Sequence, residues 1–323
     1  LEQQTLVKVS LFAAFVLIRA IHPTVINASK TVDERGVKGF AYEAQTVNIA
    51  ECVVSMVVAQ LVALRCGGYA RWRSIWRPAP MRIFSFCGFM FGLGDFLEMQ
   101  SLVSLSGGAY QILLQSKLLI TALMSWGLKG SGQTALQWNI LALVMLSMSV
   151  YMCLGDESAG GGGQLWLGAL CTLLKVFVSC LGSVLTDKYV KQYSDEPVYV
   201  QAVQIRCARL LTVIVMVLVR GKALQNGFFH GWDWCVMGVF LSFTLKAWST
   251  LYLLVFLDSV LKSIGEAVAV LVIYFMEVCL PAFDATFQVD SFLAVMVVIL
   301  AVVAYIMSKG AVEKAKKYDA RAQ

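Results

Sequence analysis

Ten uninterrupted apolar runs, each roughly 18 to 25 residues long, dominate this chain of 323 residues. They lie near 5–27, 44–65, 82–102, 107–127, 134–154, 165–186, 198–219, 233–256, 263–283 and 288–308. A run of that length suits a helix crossing about 30 Å of hydrocarbon. No water is available there to satisfy backbone N–H and C=O groups, so only helices and closed barrels span a bilayer. A barrel needs short segments of alternating polarity, and these runs are continuous. Charged residues make up 14% of the chain, against about 25% in soluble domains. The expected fold class is an all-α membrane protein with ten transmembrane helices.

Between the fifth and sixth runs lies Asp156-Glu157-Ser158-Ala159-Gly160-Gly161-Gly162-Gly163. No Gly-Lys-Ser/Thr follows it, so it reads as a flexible linker rather than a phosphate loop. It divides the chain into an N-terminal five-helix half (1–155), the linker (156–164), a C-terminal five-helix half (165–308) and a basic tail (309–323). Arg65, Arg71, Arg73, Arg77, Arg82, Lys129, Lys188, Lys191 and Lys262 fall on one side of the membrane with Lys309, Lys314, Lys316, Lys317 and Arg321 of the tail. Only Lys30, Arg35, Lys38, Arg220 and Lys222 fall on the other. Cytosolic loops carry the excess of Lys and Arg, which puts both termini in the cytosol. An odd number of spans per half then inverts the second half relative to the first. Such inverted repeats build many secondary transporters, with the substrate site near the midplane between the halves.

The net charge of +6 belongs to the loops and the tail and reads as topology and contact with membrane lipids, not as a nucleic-acid surface. The nine cysteines form no CxxC pair and only His22 and His230 could add imidazole, so neither a metal site nor a cofactor is expected. No GxSxG, HExxH or paired-histidine arrangement is present, which points away from an enzyme. Asn27-Ala28-Ser29 is a formal glycosylation sequon, but it lies too close to the first span for easy modification. The first residue is Leu1, which leaves open whether a segment was removed ahead of it.

The costly residues are the ionisable ones inside the runs. A lysine at the depth of Lys117 costs about 3 kcal/mol on insertion scales and needs a partner, a water-filled cavity or an anionic ligand. At about 100° per residue, Tyr110, Lys117, Thr121 and Ser125 fall within a narrow arc, with Gln111 and Gln115 on its shoulder. Either this stripe faces a cavity where Lys117 meets a phosphate, or Lys117 is paired with a buried acid. Asp95 and Glu98 on the third span are the candidate acids, beside Gly88, Gly92 and Gly94, which would let a neighbouring helix approach closely. On the ninth span Lys262, Glu266 and Glu277 share one side, and Lys262 and Glu266 are spaced to pair locally. Glu51 is the lone acid of the second span. Lys175, Gln201, Gln204, Arg206, Arg209 and Lys246 add polar groups to the sixth, seventh and eighth. Arg19, Asp187, Lys188 and Asp258 stand near helix ends, where charged heads snorkel to the interface. So many ionisable groups at depth favour a polar central cavity.

The stretch Gly108-Ala109-Tyr110-Gln111-Ile112-Leu113-Leu114-Gln115-Ser116-Lys117-Leu118-Leu119-Ile120-Thr121-Ala122-Leu123 resembles the nucleotide-sugar transporter family, whose matching helix reads approximately ATYQVTYQLKILTTAL. Ser29-Lys30-Thr31, Ala50-Glu51, Asp187-Lys188 with Lys191, Gln204, and Asp258 with Lys262 are similar to further family positions in the same order. The resemblance implies the drug/metabolite transporter fold and a nucleotide sugar, or another phosphorylated metabolite, exchanged for a nucleoside monophosphate. It implies a Golgi or endoplasmic-reticulum membrane, with a plastid or other organelle left open. Carried over, Tyr110, Gln111, Gln115, Lys117 and Thr121 would line the substrate site with Lys117 toward phosphate. Lys262 would be the basic residue of the second half, and Glu51 a polar neighbour of the cavity.

Three departures bear on the cargo. Gly94-Asp95-Phe96 stands where the family has Gln-Asn-Asn, Glu98 replaces an apolar residue, and Glu266 replaces a small one. Carboxylates in a pocket for a phosphorylated anion repel it unless they are protonated or paired. Asp95, Glu98, Glu266 and Glu277 are therefore candidates for coupling or ion pairing. Two other functions remain open: a proton-coupled carrier of a small metabolite, or a transporter fold kept as a structural subunit of a membrane complex. Whether the chain acts alone, as a homodimer or with other partners is also open.

Overall fold

A computed structural model describes residues 2–29, 31–32, 38–104, 113–114, 116–130, 132–155, 165–220, 227–279 and 289–322. Among the described residues ten long helices follow in order. They are α1 (Glu2–Ala28), α2 (Ala44–Ser74), α3 (Pro78–Ser104), α4 (Lys117–Lys129), α5 (Ala135–Gly155), α6 (Leu165–Gln192), α7 (Val198–Arg220), α8 (Trp234–Phe256), α9 (Ser259–Cys279) and α10 (Val289–Ala322). Two short strands, β1 (Thr31–Val32) and β2 (Lys38–Gly39), pair antiparallel between α1 and α2. Five helices, α1, α2, α6, α7 and α8, are long and apolar enough to cross a membrane by length and composition. Their outward faces carry large apolar side chains such as Leu17, Val57, Leu61, Leu170, Phe177, Leu211, Leu218 and Leu241. Exposed apolar surface on that scale needs lipid rather than water.

Helix ends and bends follow local chemistry. Asp233 caps α8, its side chain accepting from the Val236 N–H at 2.8 Å, and Asp258 does the same for Leu261 at the start of α9. Gly130 closes α4 with φ 68°, in the left-handed region that glycine occupies without strain. Within α2, Gly68 at φ 61° breaks the helical path, and the segment after it carries Arg71, Trp72 and Arg73. Pro23 lies inside α1, so the Arg19 carbonyl loses its intrahelical donor.

Most helix packing runs between the chain's two halves. Helix α3 packs on α6 and α7, α1 on α8 and α9, α2 on α7 and α8, α4 on α6 and α9, and α5 on α10. The expected close approach at the α3 glycines is met on α7. A Cβ on Gly88 would strike the Ile205 carbonyl, and one on Gly92 would come within 2.9 Å of the Thr212 side chain. Gly94 makes no such close contact: a Cβ there would meet only Ser179 at 3.9 Å, and the residue lines the cavity described below. The largest apolar cluster joins α4, α5, α9 and α10 through Leu118, Leu141, Val144, Ile264, Leu271, Val298 and Tyr305.

Candidate functional site

Between the halves lies a cavity of about 640 Å³, within the range of small-molecule sites. Its walls come from α1, α3, α4, α6, α7, α8 and α9. Among the described residues seven basic side chains line it, Arg19, Lys117, Lys175, Arg206, Arg209, Lys246 and Lys262, against two acidic ones, Asp95 and Glu266. Ile26 and Ile273, toward the ends of α1 and α9, line one end, and Thr186, Leu254 and Lys262 line the other.

Three groups of residues build the charge. In the first, Glu266 on α9 gathers cations from three helices. Arg19 on α1 donates to Oε1, Lys117 on α4 donates to Oε2 at 2.5 Å, and Lys262, one turn earlier on α9, lies 3.4 Å from Oε1. Lys262 is nearly buried and also donates to Ser183 on α6 at 2.9 Å.

In the second, Glu51 on α2 is fully buried and accepts from Arg206 at 3.2 Å, Arg209 at 3.3 Å and Ser55 at 3.0 Å. Arg209 Nη2 also lies 3.2 Å from Asp95 Oδ2, an ion pair too oblique for a hydrogen bond. Arg206 rests over the Trp248 ring at 4.8 Å. Arg206 Nη2 and Arg209 Nε have no hydrogen-bond acceptor among the described residues.

The third group is His22 with Lys246. Ser242 Oγ gives its single proton to the Val239 carbonyl at 2.7 Å, so it accepts from His22 Nδ1 at 2.9 Å. His22 Nε2 is thereby left as the acceptor for Lys246 Nζ, also at 2.9 Å. A neutral histidine thus holds a charged lysine at the cavity wall.

Several sequence expectations change in position. Thr121, expected to contact cargo, is fully buried behind the wall, bonded to Ser263 at 3.1 Å and Cys180 at 3.2 Å, and joins α4 to α9 and α6. Glu51 likewise does not line the cavity and supports the two arginines from behind. Asp95 pairs with Arg209 rather than Lys117, because α3 packs on α7 while α4 packs on α6 and α9. Arg19, expected to snorkel, lies in the cavity wall. Asp187, also expected at an interface, is fully buried and accepts from Lys129, from Lys191 at 2.6 Å and from the Ser259 N–H at 2.9 Å. Tyr110, Gln111 and Gln115 lie outside the described residues, as do the side chains of Glu98 and Glu277.

Arg19 and His22 also line the cavity, although the sequence does not mark them as site residues. Their spacing with Ile26 puts all three on one face of α1, a signal visible in the sequence but shared with many snorkelling residues.

A family model described as nucleotide-sugar transporter matches residues 3–306. No curated protein sequence matches the chain. Several solved structures are similar, among them a crystal structure of a protein with a TM-score of 0.71 at 12% identity, covering 94% of this chain and 98% of the other. That likeness concerns the fold alone.

Proposed function

This chain belongs to the nucleotide-sugar transporter family, and from that premise we propose that it is a secondary-active carrier holding the phosphates of its cargo between Lys117, Lys262 and the neighbouring cavity cations. The family is one of transporters, so the chain is a membrane transporter of nucleotide sugars and not an enzyme. The observation that carries the finer reading is the charge of the cavity, which among the described residues has seven basic side chains against two acidic ones. Both acids are already paired with arginine or lysine, so they do not repel an anion as isolated carboxylates would. The same inventory disfavours a cationic cargo. An open cavity disfavours a filled, purely structural interior.

Tyr110, Gln111 and Gln115 complete this reading as further residues of the substrate site. The two halves, 1–155 and 165–308, rock about the cavity and expose it to each side in turn, with a nucleoside monophosphate as counter-substrate. The packing supports inverted repeats. If each helix is exchanged for the one five places away, α1–α8 becomes α3–α6, α1–α9 becomes α4–α6, and α2–α8 becomes α3–α7. The pairs α2–α7, α4–α9 and α5–α10 map onto themselves. With the termini cytosolic, the end of the cavity near Ile26 faces the lumen. The buried Asp187 cluster then seals the cytosolic end. Membranes of the Golgi or endoplasmic reticulum are the family's usual setting and the proposed one here.

A thermal-shift panel on the purified protein tests the cargo class, because a ligand that binds the native state raises its stability. Nucleotide sugars and nucleoside monophosphates should raise the melting temperature. A response confined to cationic or uncharged compounds would contradict the proposal.

A further inference from the structure

The three cations best placed to take a phosphate are all drawn onto one carboxylate. Glu266 Oε1 faces Arg19 and Lys262, and its Oε2 faces Lys117 at 2.5 Å. Two of these cations, on α1 and α4, belong to the N-terminal half, while Glu266 and Lys262 belong to the C-terminal half. The Glu266 side chain keeps 17% of its surface open to the cavity, so it can be displaced without unpacking a helix. Its two oxygens, held among donors from three helices, offer the donors what two phosphate oxygens would offer.

We propose that Glu266 is a tethered counter-anion, which fills the phosphate position of the empty carrier and lets it reorient without cargo. The inference rests on the proposed transport reading and assigns Glu266 a specificity and coupling role within it. A cavity whose cations face no anion is held in place by its own repulsion until cargo arrives, which enforces strict exchange. Here the carboxylate spans the two halves and offsets one of the cluster's three positive charges in the absence of cargo. Net, one-way flux then accompanies exchange. The cost falls on affinity, because a phosphate must displace a bound carboxylate to enter. Asp95 does not share the role, since its partner Arg209 lies in the separate Glu51 group.

Two measurements on the purified chain test this, comparing the unmodified protein with Glu266→Gln, which keeps the size and removes the charge. Pyrophosphate binding, titrated in detergent, should tighten about tenfold or more in Glu266→Gln once the competing carboxylate is gone. Unchanged or weaker binding would overturn the proposal. In liposomes loaded with a labelled mixture of UMP, GMP and CMP, the unmodified chain should release label into substrate-free buffer. In Glu266→Gln the ratio of this net release to exchange should fall about tenfold or more. An unchanged ratio would overturn the coupling role. Failure of the transport reading is distinguishable. No flux of any nucleotide by the unmodified chain would refute transport, while the pyrophosphate titration still decides whether Glu266 occupies an anion site.

Discussion

Lys117 on α4 donates to Glu266 on α9 at 2.5 Å, joining the two halves at the wall of an open cavity. The pair resolves two costs at once, a cation and a carboxylate each at membrane depth. It also answers both readings of Lys117 together. The lysine has an acidic partner and still lines a space large enough for a ligand. A buried pair of this kind is weak evidence for stability on its own account. The excess of cations around it points instead to an anionic ligand.

The Glu51 group should be the most fragile of the charged clusters. Removing Glu51 leaves Arg206 and Arg209 without their buried counter-charge, and breaking a buried ion pair from one side costs about 3–5 kcal/mol. Glu51→Ala should therefore lower the melting temperature far more than Asp95→Ala, whose carboxylate is 36% exposed. Comparable melting curves for the two variants would contradict the assigned support role.

Close packing of α3 on α7 should tolerate no methyl group at Gly88. A Cβ there meets the Ile205 backbone carbonyl, which cannot swing aside as a flexible side chain would. Gly88→Ala should destabilise by about 1–3 kcal/mol through overpacking. Gly94→Ala, whose Cβ meets only Ser179 at 3.9 Å, should leave stability near the unmodified value. Equal effects at the two sites, measured by thermal unfolding in detergent, would count against this packing.

Much of the fold was legible because a bilayer imposes its own length scale. Apart from the fourth, whose first part lies outside the described residues, the runs correspond to helices within a few residues at most ends, and the extensions lie outside the apolar core. One is the Arg71–Arg73 segment beyond Gly68, and another is the tail that prolongs α10. Individual ionisable residues were legible as buried, because charges inside apolar runs need a reason. Their partners were not. Lys117 and Glu266 are far apart in sequence, and the helical arc of α4 does not say whether α3 or α9 packs against it. Local spacing did find Lys262 beside Glu266, because one helical turn separates them. Arg19 was hidden for a different reason: proximity to a helix end suggests snorkelling, and only the packing of α1 on α9 turns the side chain inward.

The cluster around Asp187 should hold one end of the carrier shut. Its carboxylate joins the end of α4 through Lys129, α6 through Lys191 and the first N–H of α9 through Ser259. Asp187→Asn keeps the shape but loses the charge shared by two lysines. Hydrogen exchange at the start of α9 should then speed up relative to the middle of α8. Unaltered protection at Ser259 and Val260 would show that the cluster does not secure this end.

Exchange in liposomes bears most directly on the role of the cationic cavity. Purified protein, reconstituted with nucleoside monophosphate inside and a panel of labelled nucleotide sugars outside, should accumulate at least one of them. Lys117→Ala should reduce that exchange by about tenfold or more, the worth of a charge-assisted hydrogen bond to phosphate. Exchange that persists undiminished in Lys117→Ala, or a panel in which no nucleotide sugar moves, would contradict the assignment.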